Sequence, residues 1–147
     1  MDLYTIGYEG LSLSSFIGYL RNHSVMTVVD IREKPISRKK GFSKNDLQKG
    51  LASNQIDYLH VQALGTPKYL REELNKKKNY FRFFRRYNNF LNTRANYVDT
   101  IIDKMLHETV ALVCFERDAR KCHRSAVAQK IKKKSPWPIV IHHIKII

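Results

Sequence analysis

The chain has 147 residues, and 27 Lys and Arg against 13 Asp and Glu give it a formal charge of +14. That length suits one domain around a single core, and two cysteines are too few for a disulfide framework, so a reduced, cytoplasmic protein is expected. MDLYTIGYEG lacks the basic and apolar regions of a signal peptide, and no apolar run approaches the roughly 18 residues of a bilayer span, which speaks against a membrane protein.

From the first residue onward, strand-length apolar runs alternate with longer helical patterns, the signature of an α/β protein. LYTIGY at 3–8 is a short β-rich run, and Gly7 with Gly10 marks the turn out of it. Ser12 or Ser14 caps a first helix whose apolar face is Phe16, Ile17 and Leu20. VMTVVDI at 25–31 has the unbroken apolar character of a buried parallel strand, and its polar end begins at Asp30. REKPISRKKG at 32–41 carries a proline and five basic residues without an apolar period, so it is read as an exposed loop. Ser43 caps a second helix, IDYLHV at 56–61 makes a third and weaker strand, and QALGTP closes it with Gly65 and Pro67.

Between Lys68 and His107 apolar residues recur every three or four positions, which predicts one long helix or two abutting ones. TVALVCF at 109–115 is the most apolar strand and belongs at the centre of the sheet. HRSAVAQKIKKK then forms a last helix and PIVIHHI a last strand. No repeat or linker divides the chain, so residues 1–147 read as one Rossmann-like α/β domain: about five mainly parallel strands flanked by helices in three layers.

Parallel strands point their C-terminal ends at one edge of the sheet, where open α/β folds bind ligands. Polar residues interrupt the apolar runs at those ends: Tyr8 after the first strand, Asp30 and Arg32 after the second, His60 and Gly65 after the third, and Glu116, Cys122, His123 and Arg124 after the fourth. Asp30 and Arg32 lie on the same side of an extended strand and can form an ion pair over the crevice. Glu116 shares the face of Cys114 and is a candidate general base or, equally, a counter-charge to the surrounding arginines. Cys122 stands at the expected start of a helix among Arg120, Lys121 and Arg124, where positive charge and helix-end N–H groups favour a thiolate. It is the candidate nucleophile, with an inert core thiol as the plain alternative.

A zinc site built from Cys114, Cys122, His123 and one carboxylate or His60 is disfavoured: there is no CxxC or HxxxH pair, and neighbouring Cys122 and His123 on one helix would point about 100° apart. No metal or cofactor is therefore expected, and neither the P-loop nor the dinucleotide glycine fingerprint is present. The aromatics of FRFFRRYNNF at 81–90 read as a core stripe more readily than as a base-stacking surface.

TIGYEGLS, VVDIREKPISRKKGF, YLHVQALG and LVCFERDARKCHRSAVA, in that order over almost the whole chain, resemble the uncharacterised family called domain of unknown function 488. The resemblance implies a compact α/β domain of bacterial and archaeal cytosol. It also implies a recurring set matched here by Asp30, Arg32, Ser37 and Phe42, by Leu64 and Gly65, and by Cys114, Glu116, Cys122, His123 and Arg124. The Leu-Gly turn lacks the second glycine common in that family, and the resemblance supplies no reaction.

The charge makes a polyanion the expected partner, because a basic surface gains counterion-release entropy on phosphates; solubility is its bland explanation. The first functional reading is an enzyme acting on nucleic acid or a nucleotide-like anion. In it Asp30 or Glu116 acts as base or orienter, Cys122 as nucleophile and His123 as a proton exchanger near neutral pH. Arg32 and Arg124 hold the anion, with Tyr8, Ser37, Arg38, His60 and Gly65 around it. The second is a non-catalytic basic nucleic-acid-binding module in which the Cys-His-Arg cluster is structural. A redox or sulfur-transfer role, resting on Cys122 alone, is a third.

Overall fold

The apolar runs become five strands, described with every other residue of the chain (1–147) in a computed structural model. They are β1 (Asp2–Gly7), β2 (Thr27–Asp30), β3 (Asp57–His60), β4 (Val110–Cys114) and β5 (Val140–His143). All pair in parallel, in the order β3-β2-β4-β1-β5, so the most apolar strand is central as its composition requires. No helix of the chain is long and apolar enough to cross a membrane.

Successive strand residues point to opposite faces, and each face is covered. Val28, Ala111 and Val113 pack with Phe16, Ile17 and Leu20 of α1 (Leu13–Asn22) and with Leu47 and Leu51 of α2 (Lys44–Ala52). Val29, Leu112 and Leu3 pack on the other face against α3 (Lys68–Lys77), α4 (Tyr80–Asn92), α5 (Ala95–Met105) and α6 (His123–Lys134). The result is a three-layer α/β domain. In α4 the residues Phe83, Tyr87 and Leu91 go under, each contributing about 1.5–3 kcal/mol by burial, more than the propensity differences among ordinary helix residues.

The stretch read as one or two helices is three. Lys78 adopts a left-handed conformation (φ 53°) that ends α3, and the Asn79 side chain accepts from the Arg82 N–H at 3.0 Å to begin α4. Ser12 caps α1 by accepting from the Ser15 N–H. Ser43 precedes α2 without capping it through its side chain; its hydroxyl instead bonds the backbone of Ser37 and fixes the basic loop.

The helices decide where a crevice can open. The helix after β4 lies on one face, whereas those after β1 and β2, its two neighbours in the sheet, lie on the other. The chain therefore parts around the C-terminal end of β4, the switch point at which such folds accommodate ligands. Gly7 closes the near side: a Cβ there would overlap the Glu116 carbonyl, so only glycine lets β1 pass so close to the segment leaving β4.

Candidate functional site

Asp30 ends β2 fully buried, and its carboxylate is saturated with donors. Arg32 gives it Nε at 2.9 Å, Nη2 at 2.8 Å and its backbone N–H at 3.1 Å, while the Tyr58 hydroxyl donates at 2.5 Å. The remaining Arg32 nitrogen, Nη1, donates to the Phe42 carbonyl at 2.7 Å and the Tyr8 hydroxyl at 3.1 Å. Tyr8 stacks on Phe42 with ring centroids 4.4 Å apart, so one buried ion pair ties β2, β3 and both ends of the basic loop together. Burial alone would lower the pKa of Arg32, but its bonds to Asp30 raise it above the ordinary arginine value. Burial, then the bond to Asp30, likewise raises that of Tyr58.

This alters two expected roles. Asp30 has no free oxygen lone pair for a proton from substrate, and Arg32, 7 % exposed, spends its donors inside the chain. Both fix the loop that borders the crevice. His60 does the same through Nε2, 2.7 Å from the Arg32 carbonyl. Gly65 stands outside the crevice, where a Cβ would collide with the backbone of Glu33; it allows the turn after β3 to press against the loop.

The second cluster forms where β4 meets α6. Cys122 is the cap of α6 and is extended (φ −135°, ψ 139°), not helical, so its side chain does not diverge from that of His123 as the spacing argument supposes. Cys122 Sγ lies 3.8 Å from His123 Nδ1, and the other ring nitrogen, Nε2, lies 2.7 Å from the Ile31 carbonyl. That carbonyl can only accept, so Nε2 carries the proton and Nδ1 offers its lone pair toward the sulfurs. Burial brings the His123 pKa down to about 4; the ring is neutral at physiological pH and does not exchange protons near neutrality as expected.

Cys114 and Cys122 are joined as a disulfide, against the expectation of free thiols, and Cys122 is 1 % exposed. In this state it is not a nucleophile. Arg124 is fully buried and spends its donors inside the chain: Nε donates to the Thr5 hydroxyl at 3.1 Å, Nη2 to the Arg117 carbonyl at 3.2 Å, and Nη1 to the Glu116 carbonyl, with Cys114 Sγ at 3.4 Å. No carboxylate pairs with it, and burial lowers its pKa to about 10.

Between the clusters opens a cleft of about 430 Å³. Cys114, Glu116 and His123 line its floor; Lys34, Ser37, Arg38 and Lys121 lie around it, with Phe115 and Ile36 as apolar walls. Burial raises the pKa of the Glu116 carboxyl, whose Oε2 lies 3.6 Å from Cys114 Sγ. Lys34, Arg38 and Lys121 are exposed and make no ion pair, whereas Arg71 is bound to Glu33 and the Thr66 carbonyl. Of the residues singled out in the sequence, Tyr8, Arg32, Ser37, Arg38, Glu116 and His123 line this cleft; Asp30, Cys122 and Arg124 stand behind it.

A model of the family described as domain of unknown function DUF488 matches residues 12–131. The chain belongs to this family. No curated protein and no solved structure matches it. Within the DUF488 match fall all the residues of both clusters except Thr5 and Tyr8, which β1 brings to the same edge. The sequence did not single out Tyr58 or Lys34, and it offered Lys121 only as a charge beside Cys122. Tyr58 stands two residues before His60 and so shares its face of the sheet, but nothing in the sequence says which acid a phenol will meet.

Proposed function

We propose that the DUF488 cleft is the active site of an enzyme acting on a small, nucleotide-sized anion. The observation that carries this reading is the pairing, in one cleft of about 430 Å³, of three unpaired cations (Lys34, Arg38, Lys121) with a carboxyl, Glu116, that burial inclines to hold a proton. The volume is that of a small-molecule site, and the cations suit a phosphate or carboxylate. Glu116 is the general acid or base. Arg32 and Arg124, whose donors are spent inside the chain, hold the walls, and Arg38 and Lys34 clamp the anion. A non-catalytic nucleic-acid module remains the second reading, supported by exposed cations away from the cleft, such as Lys132 and Lys133 at the end of α6.

The two readings are separated by titrating the protein with mononucleotides and with long oligonucleotides across a range of salt, and by following a nucleotide panel for products by chromatography. The enzyme reading expects mononucleotide binding that weakens by roughly tenfold in Arg38→Ala, and turnover lost in Glu116→Gln with binding kept. Binding confined to long oligonucleotides, indifferent to Arg38 and steeply salt-dependent, favours the module and removes the active site.

A further inference from the structure

We propose that the reduced protein binds a zinc-class divalent ion through Cys114 Sγ, Cys122 Sγ and His123 Nδ1 at the floor of the cleft. The three ligand atoms lie within 4.8 Å of one another. Bonds of about 2.3 Å to sulfur and 2.0–2.1 Å to nitrogen around a tetrahedral ion require separations of that order. Cys122 and His123 do not lie on the same helix: the extended cap at Cys122 turns both side chains to one side.

Three further observations support the assignment independently. His123 gives its Nε2 proton to the Ile31 carbonyl, the outer-shell bond that fixes a ligating imidazole with its other nitrogen aimed at the ion. Arg124, fully buried, forms no direct ion pair; Glu116 and Asp118 act on it only from a distance, and its Nη1 faces Cys114 Sγ at 3.4 Å, so a thiolate there supplies a counter-charge in contact. The Cα atoms of the two cysteines are 7.6 Å apart, beyond the roughly 7 Å within which a disulfide closes without backbone movement, and compatible with thiolates on two sides of an ion. The chemistry balances: a dithiol reductant gives the disulfide two electrons and two protons and is itself oxidised to a disulfide, and metal binding then releases both thiol protons.

With three protein ligands the fourth position faces the cleft, where the Glu116 carboxyl lies 3.6 Å from Cys114 Sγ. Three ligands and an open position mark the catalytic class of zinc site, not the closed structural class.

The test needs no substrate, so it stands or falls apart from the anion reading. The full chain is reduced with a phosphine, freed of metal and titrated with Co²⁺ in the absence of oxygen. One ion per chain, with thiolate-to-cobalt charge-transfer absorption that Zn²⁺ abolishes by displacement, is the expected result. Cys122→Ser should lose that absorption, and His123→Gln should weaken affinity by at least about tenfold, whereas Glu116→Gln should keep the absorption. Because a buried substitution can unfold the chain, alkylation of the reduced wild-type protein serves as the second measurement: Zn²⁺ should protect both cysteines, read by mass spectrometry. Reduced wild-type protein that takes up no ion, or whose cysteines alkylate equally with and without Zn²⁺, overturns the proposal.

Discussion

Two arginines are buried at one edge of one sheet, and their surroundings are opposite. Arg32 meets a carboxylate in a two-pronged ion pair, and the bonds to Asp30 outweigh the cost of burial. Arg124, more deeply buried, rests on a hydroxyl, two carbonyls and a sulfur; no acid pairs with it directly, and the nearby Glu116 and Asp118 carboxylates offset its burial only in part. A charge inside a protein is stabilised by what faces it, and depth alone does not tell whether it is structural or held in reserve for another group. The arginine in a direct ion pair closes a loop; the one without such a pair faces a cysteine sulfur.

The comparison predicts that the less buried residue matters more to the fold. Arg32→Met strands the Asp30 carboxylate in the interior and is expected to cost about 3–5 kcal/mol. Arg124→Met strands only neutral acceptors, at about 1–3 kcal/mol. Urea midpoints measure both, and a larger loss for Arg124→Met breaks the argument. Tyr58→Phe sharpens it, since Asp30 keeps its arginine and loses one donor; about 1.5 kcal/mol is expected by the same measurement. The smallest effect lies at the opposite edge of the sheet, where Glu108 accepts from Thr27 at 2.9 Å and pairs with Lys104 at 3.1 Å in partial solvent. Those bonds, the Thr27 bond first, lower its carboxyl pKa. Its contribution is therefore present above the ordinary carboxylate range and lost as pH falls through the folded value. Glu108→Gln should flatten the acid limb of the stability curve by less than about 1 kcal/mol, seen in melts from pH 7 down to pH 3.

The strands were legible because their burial on both faces leaves continuous apolar runs, TVVD and VALVC, that few other environments tolerate. The break between α3 and α4 was legible in part, for Asn79 is a good cap, but the apolar period runs through it and hides the stop. At the site, Asp30 and Arg32 could be paired on parity alone, since residues two apart on a strand share a side. What the spacing misjudged was the backbone at Cys122. A residue one position before a helix is extended, and that single difference changes whether its side chain diverges from His123 or meets it. Nor does charge in a sequence separate the arginines that are enclosed from Lys34 and Arg38 that are not; enclosure is decided by partners such as Phe42, across the basic loop, and Thr5, at the other end of the chain from Arg124.

Strand β1 pairs with nothing near it in sequence: Tyr4 is registered on Ala111 and Asp2 on Val140. During synthesis its backbone donors and acceptors must wait in water until those partners leave the ribosome, and only then can Gly7 and Tyr8 settle beside the segment leaving β4. The cleft thus cannot form from any local stretch of the chain, because its near wall and its floor come from strands far apart in sequence.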